Sequence, residues 1–324
     1  MRTITYAQAI KEAIAEEMRR DPSVILYGED VANFGGIFKI TAGLKEEFGE
    51  ERVFDTPISE NAIVGAGVGA AITGLRPIVE LQFADFLFTA ADEIVLKAGM
   101  WRYVHGGAYT VPMVVRCPSG AAGVGPEHGQ CPEAFFMHTP GLRIVSPATP
   151  ADAKGLLKSA IRDDDPVVFI EGEMLYNMKG DVPDDEYVIP LGSADVKRAG
   201  TDVTIVCHSK TVAVALKAAE QLAGEGVSAE VLDLRTIRPL DTATVLGSVA
   251  RTHRCVVAEE GWPFAGVGAQ VVDVIQREVF DELDAPVLRV TGADVPMPYN
   301  RHLEKAAKVD AGKLVDAVGK VLYR

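Results

Sequence analysis

In the segment Asp55-Thr56-Pro57-Ile58-Ser59-Glu60-Asn61, one carboxylate stands at the mouth of an almost wholly apolar, glycine-rich run over 62–72. With Ser59 as N-cap, Glu60 falls in the first helical turn, where the helix dipole favours a negative charge. The run has no polar face, which predicts a helix buried on all sides. Gly65, Gly67 and Gly69 inside it cost roughly 1 kcal/mol each relative to alanine, so another backbone or a ligand is expected to come close. A carboxylate so placed either satisfies neighbouring amides or moves protons. His128 is the second candidate. It ends the loop Ala121-Ala122-Gly123-Val124-Gly125-Pro126-Glu127-His128; loops after strands commonly carry catalytic groups, and histidine is the residue type suited to a proton shuttle near neutrality. Glu29 either reaches a ligand or caps Asp30 and the next turn, and Phe83 and Phe86 either line a site or pack a core. Two glycine clusters fail as dinucleotide motifs. Gly65-x-Gly67-x-Gly69 lies inside a helix, and Gly266-x-Gly268 lacks the third glycine.

The elements that must hold these groups read as α/β. Thr5-Tyr6-Ala7-Gln8 forms a capping box that opens a helix ending at Asp21-Pro22. Strands follow at 24–27, 53–55, 77–81, 111–116, 143–146 and 167–171, mostly separated by helices, which predicts a largely parallel sheet covered on both faces. The acidic stretch 180–192, with Pro183 and Pro190, reads as an interdomain linker. A second α/β unit has strands at 202–207, 229–234, 254–259 and 287–290 and a final helix near 311–322. Ligands of open parallel sheets bind beyond the carboxyl ends of the strands. Glu29 follows the first strand, Ser59 and Glu60 the second, Gln82 to Phe86 the third and the His128 loop the fourth. All therefore fall on one edge, as a single site requires.

The chain has 324 residues, 48% hydrophobic and 24% charged, which suits two globular domains. No apolar run approaches the roughly 18 residues of a membrane span, and the N-terminus shows no signal region. Cys117, Cys131, Cys207 and Cys255 have no C-x-x-C spacing and read as buried hydrophobes in a reducing compartment. A net charge of −14 argues against nucleic acid and suits a basic protein partner.

The run from Thr56 to Leu81 with Gln82-Phe83-Ala84-Asp85-Phe86 resembles the beta subunits of thiamine-diphosphate-dependent 2-oxo acid dehydrogenases. Further stretches carry the resemblance from about Ile4 to the C-terminus: Gly28-Glu29-Asp30-Val31, Glu127-His128-Gly129-Gln130, His138-Thr139-Pro140-Gly141-Leu142 and Val231-Leu232-Asp233-Leu234-Arg235-Thr236. The resemblance implies two transketolase-like parallel-sheet domains, a pyrimidine-binding domain over 1–185 and a C-terminal domain over 186–324. It implies that Glu60 faces a ring nitrogen of the cofactor's aminopyrimidine and handles the proton that activates the thiazolium carbon. Glu29, Ile58, Ser59, Gln82 and Phe86 would bind that cofactor, Phe86 by stacking. Phe83 would shape the substrate side. His128 would steer the acyl intermediate during transfer to lipoyl groups, although Pro126-Glu127 departs from the small residues or histidine common in relatives. Met113, Ala160, Ile161, Asp163 and Asp165 match a structural potassium site, whose oxygen ligands suit a hard cation.

Thiamine enzymes hold the diphosphate through Mg²⁺ with a Gly-Asp-Gly motif, and none occurs here; Gly180-Asp181-Val182 is the nearest approach. A diphosphate needs such neutralisation, so an alpha subunit must supply it. The expected assembly is two alpha and two beta chains, docked on a dihydrolipoyl acyltransferase core, with Asp281, Glu282 and Asp284 as acidic contact candidates. The expected activity is oxidative decarboxylation of a 2-oxo acid and reductive acylation of lipoyl groups, in the cytoplasm or, after processing, the mitochondrial matrix. Pyruvate is the first choice of substrate; branched-chain oxo acids and acetoin are alternatives. A noncatalytic scaffold or regulatory subunit and a split transketolase half are the competing readings.

Overall fold

The computed structural model describes every residue except Ala121, so the loop expected over 121–128 is described from Ala122 onward. By its contacts the chain forms two compact units, Met1–Ser119 with Phe135–Leu191, and Gly120–Ala134 with Gly192–Arg324. The loop carrying His128 thus groups with the second unit.

The first unit runs β1 (Arg2–Thr5), α1 (Tyr6–Arg20), β2 (Val24–Gly28), α2 (Leu44–Phe48), β3 (Val53–Asp55), α3 (Glu60–Ile72), β4 (Arg76–Glu80), α4 (Gly99–Val104) and β5 (Val114–Ser119). After the loop come α5 (Glu133–Met137), whose first two residues group with the second unit, β6 (Arg143–Val145), α6 (Pro150–Arg162), β7 (Val167–Gly172) and β8 (Lys179–Val182). The capping box of α1 is complete: Thr5 accepts from the Gln8 amide, and the Gln8 side chain accepts from the Thr5 amide. The main sheet has the order β6-β7-β5-β4-β2-β3 within this unit, every pair parallel. α1, α6 and the strands share one core that includes Ile10, Ile14, Leu26, Ile78, Leu156 and Phe169.

Three features differ from the sequence reading. Residues 180–182, the start of the stretch read as linker, belong to β8, which pairs antiparallel with β1; this two-stranded ribbon has too few apolar residues to announce itself. The fourth strand begins at Val114 rather than at residue 111, since Pro112 has no amide to donate to a ladder. α3 is buried on one face only: Ile63, Val64, Gly67, Val68 and Ala71 are buried, while Asn61, Ala62 and Ala66 are exposed. α3 therefore bares the alanines Ala62 and Ala66 on its outer face. Its glycines divide accordingly. A Cβ on Gly67 would lie 3.1 Å from the Tyr27 hydroxyl and from Val79, so this residue lets α3 sit tightly on the sheet, whereas Gly69 has nothing within 4 Å.

The second unit runs β9 (Asp195–Arg198), β10 (Val203–Cys207), α7 (Thr211–Gly224), β11 (Ala229–Asp233), β12 (Thr236–Arg238), α8 (Thr242–Thr252), β13 (Cys255–Ala258), α9 (Val267–Glu278), β14 (Leu288–Val290), α10 (Arg301–Ala307) and α11 (Ala311–Val321). Its sheet has the order β14-β13-β10-β11-β9, parallel except for the edge strand β9, which pairs antiparallel with β11. Strand order reverses between β10 and β13, which makes the gap between their carboxyl ends a topological switch point.

Candidate active site

β3, β2, β4 and β5 are consecutive neighbours in the first sheet, so their carboxyl ends form one contiguous edge. Three of the expected groups lie along it. Asp55, at the end of β3, accepts from the amides of Ala32 (2.6 Å) and Asn33 (3.1 Å) and from the Asn33 side chain (2.6 Å), which fastens the loop after β2 to the start of the Glu60 segment. Glu29 begins that loop and is half-buried. Its carboxyl is held above the ordinary range, first by burial and then by the negative charges of Asp30 and Glu60. The two glutamates are thus electrostatic neighbours, which chain order alone could not establish.

Glu60 is the first residue of α3 and half-buried. Ser59 takes the N-cap position but its hydroxyl makes no capping bond. Pro57, Ile58 and Ser59 are all exposed, so solvent or a ligand can satisfy the first amides of the helix. Ile58 is 74% exposed, high for a branched hydrophobe beside two carboxylates. Phe83 and Phe86, in the turn after β4, are half-buried and meet edge-to-face with centroids 6.0 Å apart; Phe83 meets Phe38 in the same way, also at 6.0 Å. Gln82 is half-buried on this turn. A half-exposed aromatic wall beside paired carboxylates suits a flat cationic heterocycle. Along α3, residues Thr56, Pro57, Ser59, Ala62, Ala66 and Ala70 line an open cleft of about 770 Å³.

The sequence reading missed what underlies this edge. Arg116 on β5 is 1% exposed and paired with Glu80 of β4 and Glu171 of β7; its Nε and Nη2 donate to Glu171 at 2.7 and 2.9 Å. The Tyr176 hydroxyl donates to the same carboxylate at 2.7 Å. Burial raises the Glu80 carboxyl while Arg116 pulls it back down and Glu171 pushes it up. The signal was available: Glu80, Arg116 and Glu171 each fall near the end of an otherwise apolar strand. The Leu81 amide donates to the Arg116 carbonyl at 3.0 Å, which ties the turn bearing Gln82 and Phe83 to this triad.

His128 lies in the second unit, half-buried, one residue after the short turn Gly125–Glu127. His138 is exposed. The five residues of the expected cation site gather at the amino end of β7, away from the carboxyl edge. The Met113 carbonyl accepts from the Val167 amide (2.9 Å), and the Ala160 carbonyl from the Asp163 amide (3.3 Å). The Ile161 and Asp163 carbonyls accept from Arg76 Nη1 at 3.1 and 2.9 Å. Asp163 pairs with Arg143, and Asp165 with both Arg102 and Arg143. Each carbonyl keeps a lone pair, but two guanidinium groups, Arg102 and Arg143, already neutralise the carboxylates. Such a set fits a weakly held monovalent ion and not a divalent one. Among the described residues, no three His, Cys, Asp or Glu side chains converge as metal ligands, and no helix is long and apolar enough to cross a membrane.

Comparison with known proteins agrees with this architecture. Residues 2–179 match the transketolase pyrimidine binding domain, and residues 192–314 the transketolase C-terminal domain. The chain is 48% identical to the pyruvate dehydrogenase E1 component subunit beta of Rhizobium meliloti (strain 1021), over 100% of this chain and 71% of that protein. It is 47% identical to the subunit of the same name from Rickettsia felis, over 99% of this chain and 98% of that one. The mitochondrial subunit of Caenorhabditis elegans is 48% identical over 99% and 93%. Among solved structures, a split gene transketolase described as an inactive beta4 tetramer superposes with a TM-score of 0.82, covering 99% of both chains at 24% identity; this likeness concerns the fold alone.

Proposed function

From the premise that the chain belongs to the family of beta subunits of thiamine-diphosphate-dependent 2-oxo acid dehydrogenases, we propose that it is the beta subunit of the decarboxylating component of such a complex, with pyruvate as the substrate. One observation carries the reading: the neighbouring carboxylates Glu29 and Glu60 and the Phe83–Phe86 wall lie on one edge formed by the carboxyl ends of adjacent parallel strands. Bound there, thiamine diphosphate supplies the electron sink that decarboxylation of a 2-oxo acid requires.

The chain's own residues orient and protonate. Glu60 holds a proton at the aminopyrimidine ring nitrogen, and the carboxylate of Glu29 beside it favours a positive ring. Phe86 stacks on the pyrimidine, Gln82 and Phe83 close the substrate side, and Ile58 and Ser59 cover the rim and exclude water. His128 moves protons during acyl transfer to a lipoyl group. Both Glu60 and His128 are present, which argues against a scaffold that has lost its chemistry. The functional division stays at 1–185 for pyrimidine binding and 186–324 for the C-terminal domain.

With no Gly-Asp-Gly in the sequence, the diphosphate and its Mg²⁺ belong to an alpha chain, and two alpha and two beta chains form the working unit. The exposed apolar face of α3 is where the alpha chain covers this one. The carbonyls of Met113, Ala160 and Ile161 with Asp163 and Asp165 would hold a potassium ion. A dihydrolipoyl acyltransferase core receives the acyl group, with Asp281, Glu282 and Asp284 as docking candidates. The compartment is the cytoplasm or, after processing, the mitochondrial matrix; the Caenorhabditis elegans relative is named as mitochondrial.

The test is reconstitution. With an alpha chain bearing Gly-Asp-Gly, the protein should decarboxylate pyruvate in preference to branched-chain oxo acids and acetoin; alone, it should bind thiamine diphosphate feebly. Micromolar affinity of the isolated chain in a calorimetric titration would overturn the shared-site reading, and a preference for another substrate would overturn pyruvate.

A further inference from the structure

The carboxyl ends of β10 and β13 mark the topological switch point of the second sheet, the place where ligands of such sheets bind. Here the chain fills it with its own loop. Lys210, the residue before α7, is 8% exposed and ion-paired with Glu260, two residues beyond β13. Its Nζ also donates to the Gly120 carbonyl at 3.3 Å, and the Cys131 thiol contacts Glu260 Oε2 at 3.7 Å. Both ends of the loop 120–131 are thus pinned to one ion pair. The Gly120 amide donates to the Gln130 carbonyl at 3.1 Å and closes the base. Further along, the Gly123 amide donates to Glu304 at 3.1 Å, and Glu304 is held by Lys308 at 2.6 Å. Glu127, next to His128, accepts from the Tyr299 hydroxyl at 2.5 Å. Gly125, with φ +72°, admits the Tyr299 ring; a Cβ there would lie 2.3 Å from it. What remains between Cys131, Glu133, His208, Ser209, Lys210 and Glu260 is a cavity of about 10 Å³, room for a single water.

We infer that Lys210 and Glu260, with Glu304 and Tyr299 as outer anchors, are positioning residues for His128, so that the second unit sets the geometry of acyl transfer. An ion pair between a buried lysine and a half-buried glutamate adds little net stability. Its use here is directional: it fixes where a glycine-rich loop leaves and returns. The inference rests on the role of His128 proposed above.

Its test uses the reconstituted enzyme and two assays, decarboxylation with an artificial electron acceptor and acyl transfer to a lipoyl domain. Misplacing a reacting group by about 1 Å can cost about 100-fold. Lys210→Met should therefore lower kcat for acyl transfer by roughly 10- to 100-fold, with the KM for lipoyl domain and the decarboxylation rate little changed. Lys210→Arg should recover part of the loss. Tyr299→Phe and Glu304→Gln change one anchor each and should give smaller losses in acyl transfer alone. If Lys210→Met does not assemble, those two variants decide. Equal losses in both assays would mean a merely structural role and overturn the inference. No loss in any anchor variant, while His128→Ala loses acyl transfer, would overturn it and leave the role of His128 intact. No loss in His128→Ala would remove that role itself.

Discussion

At the carboxyl edge of the first sheet, Glu29, Glu60, Phe83 and Phe86 stand half-exposed, and beside them α3 presents alanines to solvent. At the carboxyl edge of the second sheet, buried Lys210 is paired with half-buried Glu260 and held against the loop that carries His128. The two units share an architecture of parallel strands covered by helices, and physics makes the same edge of each a ligand site. One edge stands open. The other has been closed by the chain itself. The difference lies in the polar groups there: the closed edge pairs Lys210 with Glu260, while the open edge sets two carboxylates near each other.

The sharpest way to break this contrast is Glu60→Gln in the reconstituted enzyme. The amide keeps the shape but cannot exchange the proton, so proton exchange at the cofactor's reactive carbon should slow by about 10²–10⁴-fold, as for lost general acid–base catalysis. Exchange at the parental rate, followed by deuterium uptake, would return Glu60 to a cap at the head of α3.

Next in size is the foundation of the open edge. Arg116→Met leaves Glu80 and Glu171 buried without their cation, and removal of one partner from a buried pair costs about 3–5 kcal/mol. Denaturant unfolding should show a loss of this order, and the Gln82–Phe86 turn should lose protection from hydrogen exchange. A loss below about 1 kcal/mol, the range of exposed pairs, would show that the triad is not a foundation.

The closed edge can be probed by pH. Glu133 is buried beside Lys210, Glu260 and Glu259, and burial raises its carboxyl to about 7 from 4.5. Between these values the folded protein holds a proton that the unfolded chain releases, so Glu133 makes stability fall as pH rises toward 7. His208, lowered to about 4 from 6.5 chiefly by burial, acts in the opposite sense: stability is lost as pH falls from 6.5 toward 4. The two largely offset each other between pH 4.5 and 6.5. Glu133→Gln should unmask the histidine, so the variant's melting temperature should gain on the parent's from pH 5 to pH 8. Parallel melting curves across that range would show that Glu133 does not titrate there.

The smallest effect belongs to the amino end of the first sheet, outside both edges. Replacing sodium by potassium should raise the melting temperature by about 2–4 °C, the equivalent of roughly 1 kcal/mol of ligand linkage. Asp163→Asn should remove that difference. Identical melting in the two salts would dismiss the ion.

Much of this was legible in one dimension. Apolar strand runs alternating with helices, the Thr5–Gln8 capping box and turn residues specify α/β units because local periodicity and capping depend on neighbours within a turn or two. The placement of Glu29, Glu60 and the Gln82–Phe86 turn after successive strands also follows from chain order, since parallel strands all carry their carboxyl ends to the same edge. The absence of Gly-Asp-Gly is a property of the sequence alone. Other features exist only in three dimensions. That Glu29 senses Glu60, that Arg116 joins carboxylates from two flanking strands, and that α3 buries one face and bares the other all depend on sheet order, which local pattern does not encode. The fate of the His128 loop is the clearest case. Its glycines and proline announce a loop, but it is held by Lys210, Glu260, Tyr299 and Glu304, residues 90 to 181 positions further along the chain; contacts at that separation form only when the tertiary fold has brought the segments together, because no local preference is strong enough to hold a glycine-rich loop in one place.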